Sequence, residues 1–311
     1  MRPERFALLR ACALGLVLAG ASAATSGCVI IVDGHGDHAW ADDWGSTHKE
    51  TRNSTVPHVT GKPVEVNSRN GSISVIRDSS INEVKIEARI QSKSQERLSA
   101  AVVEATRDAE GGLHVSLKWP ENKWERNEGC SFEIRLPDAT GVYAKSSNGA
   151  ITFEGIDGDA VADTSNGSIR VEKQGGSLRA DTSNGKVIAK SITGNVFADT
   201  SNGSVTLEDI AGAVEADTSN GKVSVTLAPT SPGPVTIDTS NGSVEVICGA
   251  AFAGEVSMET SNGAITLTDN EGKVHKGKGR LTASVGSGGA KSLVSTSNGS
   301  IKFTVNTGAT H

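Results

Sequence analysis

No G-x-S-x-G, H-E-x-x-H or P-loop segment occurs in the 311 residues, so nucleophile-elbow hydrolysis, zincin proteolysis and P-loop phosphate chemistry have no support in the sequence. The G-G-x-G-x-D core of calcium-binding β-rolls is also missing, since GSGG at 286–289 does not lead into it. A clustered Lys/Arg stripe is absent and the formal charge is −6, which argues against nucleic acid as a partner. Cysteine is scarce: Cys12, Cys28, Cys130 and Cys248 are the full set. The histidines beyond residue 57, His58, His114, His275 and His311, are scattered. Surface or edge positions are expected for them. No cofactor, metal or catalytic residue is indicated.

Arg2, Arg5 and Arg10 flank and enter an apolar run over 6–24, the pattern of a secretory leader rather than of a membrane span. Two processing routes stay open. One is a small-x-small site at Ala21-Ser22-Ala23; the other is a bacterial lipoprotein site, TSGC, at which Cys28 becomes the acylated first residue. Ser26 and Gly27 suit the second, whereas Thr25 stands where that pattern usually has Leu. Residues 1–27 are therefore read as a leader of lipoprotein type, and the chain beyond it carries a formal charge of −8. Residues 28–57 have no sustained period and read as a tether. His35, Asp37, His38, Asp42 and Asp43 within it match no closed zinc site.

What the chain does contain is one turn written many times. DTSNG begins at Asp163, Asp181, Asp199, Asp217 and Asp238, and Asn-Gly recurs at Asn70, Asn148-Gly149, Asn166-Gly167, Asn184-Gly185, Asn202-Gly203, Asn220-Gly221, Asn241-Gly242, Asn262-Gly263 and Asn298-Gly299. From Asn148 the steps are 18, 18, 18, 18, 21, 21 and 36, a period that signals a repeat architecture. The last step reads as two periods with one marker lost.

Aligned on Asn, the third residue is Ile151, Ile169, Val187, Val205, Val223, Val244, Ile265 or Ile301, and the fifth is equally apolar. Alternate residues of a strand share a face. A second glycine follows at Gly158, Gly176, Gly194 and Gly212, and beyond it Ala162, Ala180, Ala198 and Ala216 share parity with Thr164, Thr182, Thr200 and Thr218. Each unit thus holds two strands and two turns. Asn-Gly between such strands is the mark of a tight hairpin with both residues at positive φ. The alternative is a coil whose equivalent residues stack ~4.8 Å apart. A spelling constant from unit to unit favours the coil, because stacking lets Asn and Thr form axial ladders. The expected fold is all-β, a right-handed parallel β-helix or β-solenoid over 58–311 with 18–21-residue coils and regular repeats over 142–305.

The segment Ile134 to Glu172, IRLPDATGVYAKSSNGAITFEGIDGDAVADTSNGSIRVE, together with the further SNG units, resembles the bacterial putative-adhesin family of β-strand-repeat proteins. The resemblance spans roughly 64–305. It implies a β-helical extracytoplasmic domain, often behind a signal peptide or lipid anchor, without established chemistry. The longer turns at 228–235 and 248–254 depart from the pattern.

Within 81–119, EVKIEARI and GLHVSLKW alternate as strands. The segment between them favours a helix capped by Ser94, with Leu98, Val102 and Ala105 on one stripe, placed to cover the open end of the stack. Cys130 and Cys248 both have inward parity, and five coils between them correspond to about 24 Å. A disulfide needs ~4.4–6.8 Å between Cα atoms, so both are expected to stay free.

The row Asp163, Asp181, Asp199, Asp217, Asp238 and Glu259 has carboxylate spacing suited to glycosidic chemistry or to calcium. It repeats one residue in one setting, however, whereas acid–base pairs need unlike environments. Turn stabilisation through local N–H bonds, with Lys186 and Lys222 easing repulsion, is the reading these residues favour. The expected function is a non-enzymatic, membrane-anchored or secreted extracytoplasmic protein acting as adhesin or envelope scaffold. Its expected partners are a membrane through Cys28, and surface polysaccharide or another envelope protein. The alternative is a carbohydrate-active β-helix enzyme using irregular segments at 228–235, 248–254 and 270–280.

Overall fold

The structure, a computed structural model, describes residues 47–306. The expected leader, Cys28, the His and Asp residues of 35–43 and His311 lie outside the described residues. The first strands are β1 (His48–Pro57), β2 (Val64–Asn67), β3 (Ile73–Arg77) and β4 (Glu83–Ser92). Helix α1 (Gln95–Ala100), β5 (Val102–Arg107), β6 (Leu113–Lys118), a 3₁₀ turn (Pro120–Asn122) and β7 (Gly129–Leu136) come next. Regular coils follow as β8 (Gly141–Ser146), β9 (Ile151–Glu154), β10 (Asp159–Thr164), β11 (Ile169–Gln174), β12 (Leu178–Thr182), β13 (Val187–Ile192), β14 (Val196–Thr200) and β15 (Val205–Ile210). They continue as β16 (Val214–Thr218), β17 (Val223–Leu227), β18 (Val235–Thr239) and β19 (Val244–Cys248). The described strands end with β20 (Gly254–Thr260), β21 (Ile265–Thr268), β22 (Val274–Gly277), β23 (Arg280–Val285), β24 (Ser292–Thr296) and β25 (Ile301–Val305).

The strands form one sheet of thirteen and one of twelve, facing each other across a single apolar interior. Each coil gives one strand to each sheet, and equivalent residues of successive coils pair in parallel, as in Ala162↔Ala180↔Ala198↔Ala216. Parallel pairing decides for the coil over the hairpin. The inward residues are those the period selects: Ile151, Ile169, Val187 and Val205 on one sheet, and Ala162, Ala180, Ala198 and Thr200 on the other, all buried. Small Ala opposite branched residues lets the two sheets approach closely, the packing a narrow solenoid requires.

Both ends depart from simple succession. In the thirteen-stranded sheet the order near the start is β1-β4-β7-β3-β9, so the coil of β2 and β3 lies between a later coil and β9. Near the other end the order is β19-β25-β21-β22, with β24 correspondingly between β18 and β20. The 36-residue step therefore hides no lost marker. It contains the antiparallel strands β22 and β23, after which the chain returns and inserts its last coil into the stack.

Three further expectations are corrected. The tether gives way to strand β1, whose ten residues pair antiparallel with β4, because β4 otherwise offers an open edge. The helix covers only Gln95–Ala100; Ser94 caps it by accepting from Arg97 N, and Leu98 is its buried residue. Val102 and Ala105 belong instead to β5, where β-branched Val102 and Val103 pair antiparallel with β6. Cys130 on β7 and Cys248 on β19 are seven strand steps apart, not five, about 33 Å at ~4.8 Å per step. Both are free and buried.

Candidate functional site

The Asn-Gly corner is the most regular part of the molecule. In spatial order Asn70, Asn148, Asn166, Asn184, Asn202, Asn220, Asn241, Asn298 and Asn262 form one column, each Nδ2 donating to the Oδ1 of the preceding Asn at 2.7–3.0 Å. The expected Thr ladder takes another form. Thr164, Thr182, Thr200 and Thr218 donate through Oγ1 to the carbonyls of Gly149, Gly167, Gly185 and Gly203 in the preceding coil, at 2.9–3.1 Å. The corner glycines have no left-handed φ. Glycine is needed for another reason: a Cβ on Gly185 would lie 1.9 Å from the Gly167 carbonyl oxygen. These residues hold the axis together, and their polar atoms are engaged with one another.

Beside this corner the outer face of the twelve-stranded sheet carries the acidic column. Asp163, Asp181, Asp199, Asp217 and Asp238 pair in register, and the column continues through Ser295 and Glu259 to Arg280. Three of these carboxylates, Asp163, Asp181 and Asp238, bond to side chains. Lys145 Nζ binds Asp163 Oδ2 at 2.7 Å, Arg179 Nε binds Asp181 Oδ2 at 2.8 Å, and Ser295 Oγ donates to Asp238 Oδ1 at 2.6 Å. Lys222 does not shield the column; it reaches Glu245 Oε2 at 3.0 Å on the other sheet. Burial, set against the attraction of Arg179 and reinforced by Asp199 and Asp163, raises the Asp181 pKa above the usual carboxylate value. The next column of the same face includes Phe197, over which the Arg179 guanidinium stacks at 4.1 Å. Ser165, Ser183, Ser201 and Ser219 are exposed at the corner. The result is a long hydroxyl- and carboxylate-bearing surface.

The opposite corner was illegible in the sequence. Gly155, Lys173, Ser191 and Asp209, one period apart, all have left-handed φ between 55° and 74°. Three of them carry side chains at a cost of roughly 1–2 kcal/mol each. An open groove of about 640 Å³ runs along this corner. Gly155 and Gly175 are among the residues that line it. Arg77 Nη1 pairs with Asp157 Oδ1 at 2.6 Å and Lys173 Nζ with Glu154 Oε1 at 3.3 Å at its rim, and Ser191 Oγ donates to Asp209 Oδ2 at 3.0 Å. Beneath lies Gln174, buried where neighbouring coils have Ile156, Ile192 and Ile210; its Nε2 donates to the Gly158 carbonyl, and its Oε1 is unpartnered among the described residues. Both rim carboxylates are neutralised by cations, so the groove offers paired donors and acceptors rather than an isolated acid or base.

Two of the three irregular segments are packing features. Residues 228–235 and 248–254 contain no acid, base or histidine. Ser231 and Phe252 in them are buried, and Phe252 packs against Phe303 at 5.3 Å between ring centroids. Three of the described histidines pair with carboxylates: His58 with Asp138, His114 with Asp108 and Glu65, His275 with Asp269. Burial pushes both cysteine thiols far above their ordinary pKa, which removes thiolate chemistry at neutral pH. No helix among the described residues is long and apolar enough to cross a membrane.

A family model described as Toastrack DUF4097 matches residues 122–304. No relative was found among curated proteins. Among solved structures, the chain is similar to a putative adhesin from Bacteroides fragilis, at 15% identity over 83% of this chain and 97% of that one, with a TM-score of 0.47. It is also similar to a putative cell adhesion protein from Clostridium sporogenes, at 13% identity over 84% of this chain and 100% of that one, TM-score 0.29. A third is a putative lipid binding protein from Parabacteroides distasonis, at 13% identity over 84% and 95% of the two chains, TM-score 0.33.

Proposed function

The chain belongs to the Toastrack DUF4097 family, and from that premise we propose that it is a non-enzymatic, extracytoplasmic solenoid that presents a rigid polar flank to surface polysaccharide. One observation carries the reading: the Asp column and the flanking Ser positions of the twelve-stranded sheet repeat in register from coil to coil. A ligand that itself repeats can engage many weak, equivalent contacts on such a face, and avidity then replaces a deep pocket. The same equality opposes hydrolysis, which needs one acid and one base in different environments.

In this reading the leader delivers the chain across the membrane and Cys28 carries the lipid that holds it there, with the residues between Cys28 and β1 as tether. The test is a glycan array probed with the chain from Val29 onward, with analysis of every bound polysaccharide for new chain ends and with calcium varied. Retention without cleavage, weakened by Asp199→Lys, is the expected result. New reducing ends would overturn the non-enzymatic reading, and failure to retain any glycan would overturn the choice of polysaccharide as partner.

A further inference from the structure

The return of the last coil into the stack leaves β22 and β23, with their flanking turns, as the terminal layer of both sheets. This layer differs in charge from the rest of the molecule. Lys273, Lys276, Lys278 and Arg280 are exposed in it, against Asp269 and Glu271. The Asp269 carboxylate is occupied by His275 Nε2 at 2.7 Å and by the backbone N–H groups of Glu271 and Lys273. None of the four cations has a carboxylate within 4.0 Å among the described residues. The chain as a whole carries −6, so the shaft is acidic and this tip basic.

Two more features accompany the charge. Val274, 52% exposed, projects beside Lys273 and Lys276. Gly272 and Gly279 turn with left-handed φ in open space, with nothing within 4 Å of an added Cβ; the turns protrude rather than pack. Lysines on an edge strand also serve edge protection, but an exposed valine among them does not. At the other end of the stack the edge strands mix both signs of charge, with Lys49, Glu50 and Arg52 on β1 and Glu104 and Arg107 on β5. The four cations fall within eight consecutive residues, 273–280, and the fold places that segment at one end of the stack.

We propose that this terminal layer docks on an anionic lipid bilayer, its lysines and Arg280 against the phosphate head groups and Val274 in the interface. Basic residues around an exposed apolar side chain are the combination that head groups and acyl boundary together reward. β1 and β22 are the two ends of the thirteen-stranded sheet, about 58 Å apart at ~4.8 Å per strand step. The docking end is thus remote from the end that follows the tether.

The experiment is vesicle co-sedimentation of the chain from Val29, which keeps every described strand and omits any acyl group. Vesicles of phosphatidylcholine alone are compared with vesicles containing about one-third phosphatidylglycerol, at low and high salt. Binding to the anionic vesicles alone, weakened by salt, is expected. A variant combining Lys273→Gln, Lys276→Gln and Lys278→Gln should lose roughly a hundredfold in partitioning, at about fivefold per cation. Lys85→Gln, Lys186→Gln and Lys190→Gln together make the same charge change away from the tip and should leave most of the binding. Equal binding to neutral vesicles, equal loss in both triple variants, or capture by inorganic polyphosphate but not by vesicles would overturn the proposal. Its outcome is independent of the glycan array.

Discussion

Each carboxamide between the two ends of the corner column gives one hydrogen bond along the axis and accepts another, so its value depends on its being an amide. Asn184→Asp keeps the shape but removes the donor to Asn166 Oδ1 and sets two acceptors face to face. A loss of about 1–2 kcal/mol is expected, measured by urea unfolding, larger than that of Thr200→Val, which removes one bond worth ~1 kcal/mol. Asp181 tests the neighbouring column. A carboxyl whose pKa rises on folding costs stability above its folded pKa, and that cost disappears as pH falls through the folded pKa toward the unfolded value of 3.8. Asp181→Asn should therefore melt higher than the native chain at pH 7, with the difference closing as the pH enters the carboxylate range. Gln174→Ile restores the residue type of the coils beside it and removes an unpartnered buried oxygen; a gain of about 1 kcal/mol is expected. At this scale the Asn and Gly of the corner were legible because their spelling repeats. The left-handed corner was not: Gly155 is succeeded by Lys173, Ser191 and Asp209, residues with no composition in common, held in that conformation by the coils on either side.

Strands were legible wherever alternation ran for four residues or more, since one face had to be buried. The helix was legible only to its C-terminus. Helix formers continue past Ala100 in the sequence, but Val102 and Val103 are worth more as a strand closing the edge of β6 than as a second helical turn. β1 was missed for the opposite reason: HKETRNSTVP has few apolar residues, and its ladder to β4 is set by an edge that the sequence alone does not reveal. Arg52 ties these two surprises together. Its guanidinium donates to the carbonyls of Leu98, at 2.8 Å, and of Ala101, and pairs with Glu50 at 2.7 Å, thereby supplying the helix end with the partners it lacks. Arg52→Ala should cost about 2–4 kcal/mol, because it strands buried carbonyls and removes charged hydrogen bonds. Ser94→Ala, which removes the N-cap, should cost ~1 kcal/mol. Thermal unfolding followed by circular dichroism distinguishes the two.

A stack in which each coil touches only its neighbours should tolerate the loss of a coil, provided the loss is a whole period and the neighbours still meet. Deletion of 185–202 joins Asn184 to Gly203 and recreates SNG, and places the Asn184 amide against Asn220. The expected product is folded, shorter by one layer and somewhat less stable. Removal of 292–311 takes away no more than a coil either, yet the expected result is different. β25 lies between β19 and β21, and β24 between β18 and β20, so the truncation leaves β20 and β21 two strand steps, about 10 Å, from the rest of the stack. Their parallel partners are gone, and the span from 254 to 285 has to pair anew or detach. Hydrogen exchange should show protection retained over 141–248 and lost over 254–285, whereas protection kept over both would mean that the stack can close the gap. Period counting found the coils, but it takes sequence order for spatial order. The inserted terminal coil breaks that equivalence because it is specified by contacts between residues 57 positions apart, Asn241 and Asn298, which no local pattern records.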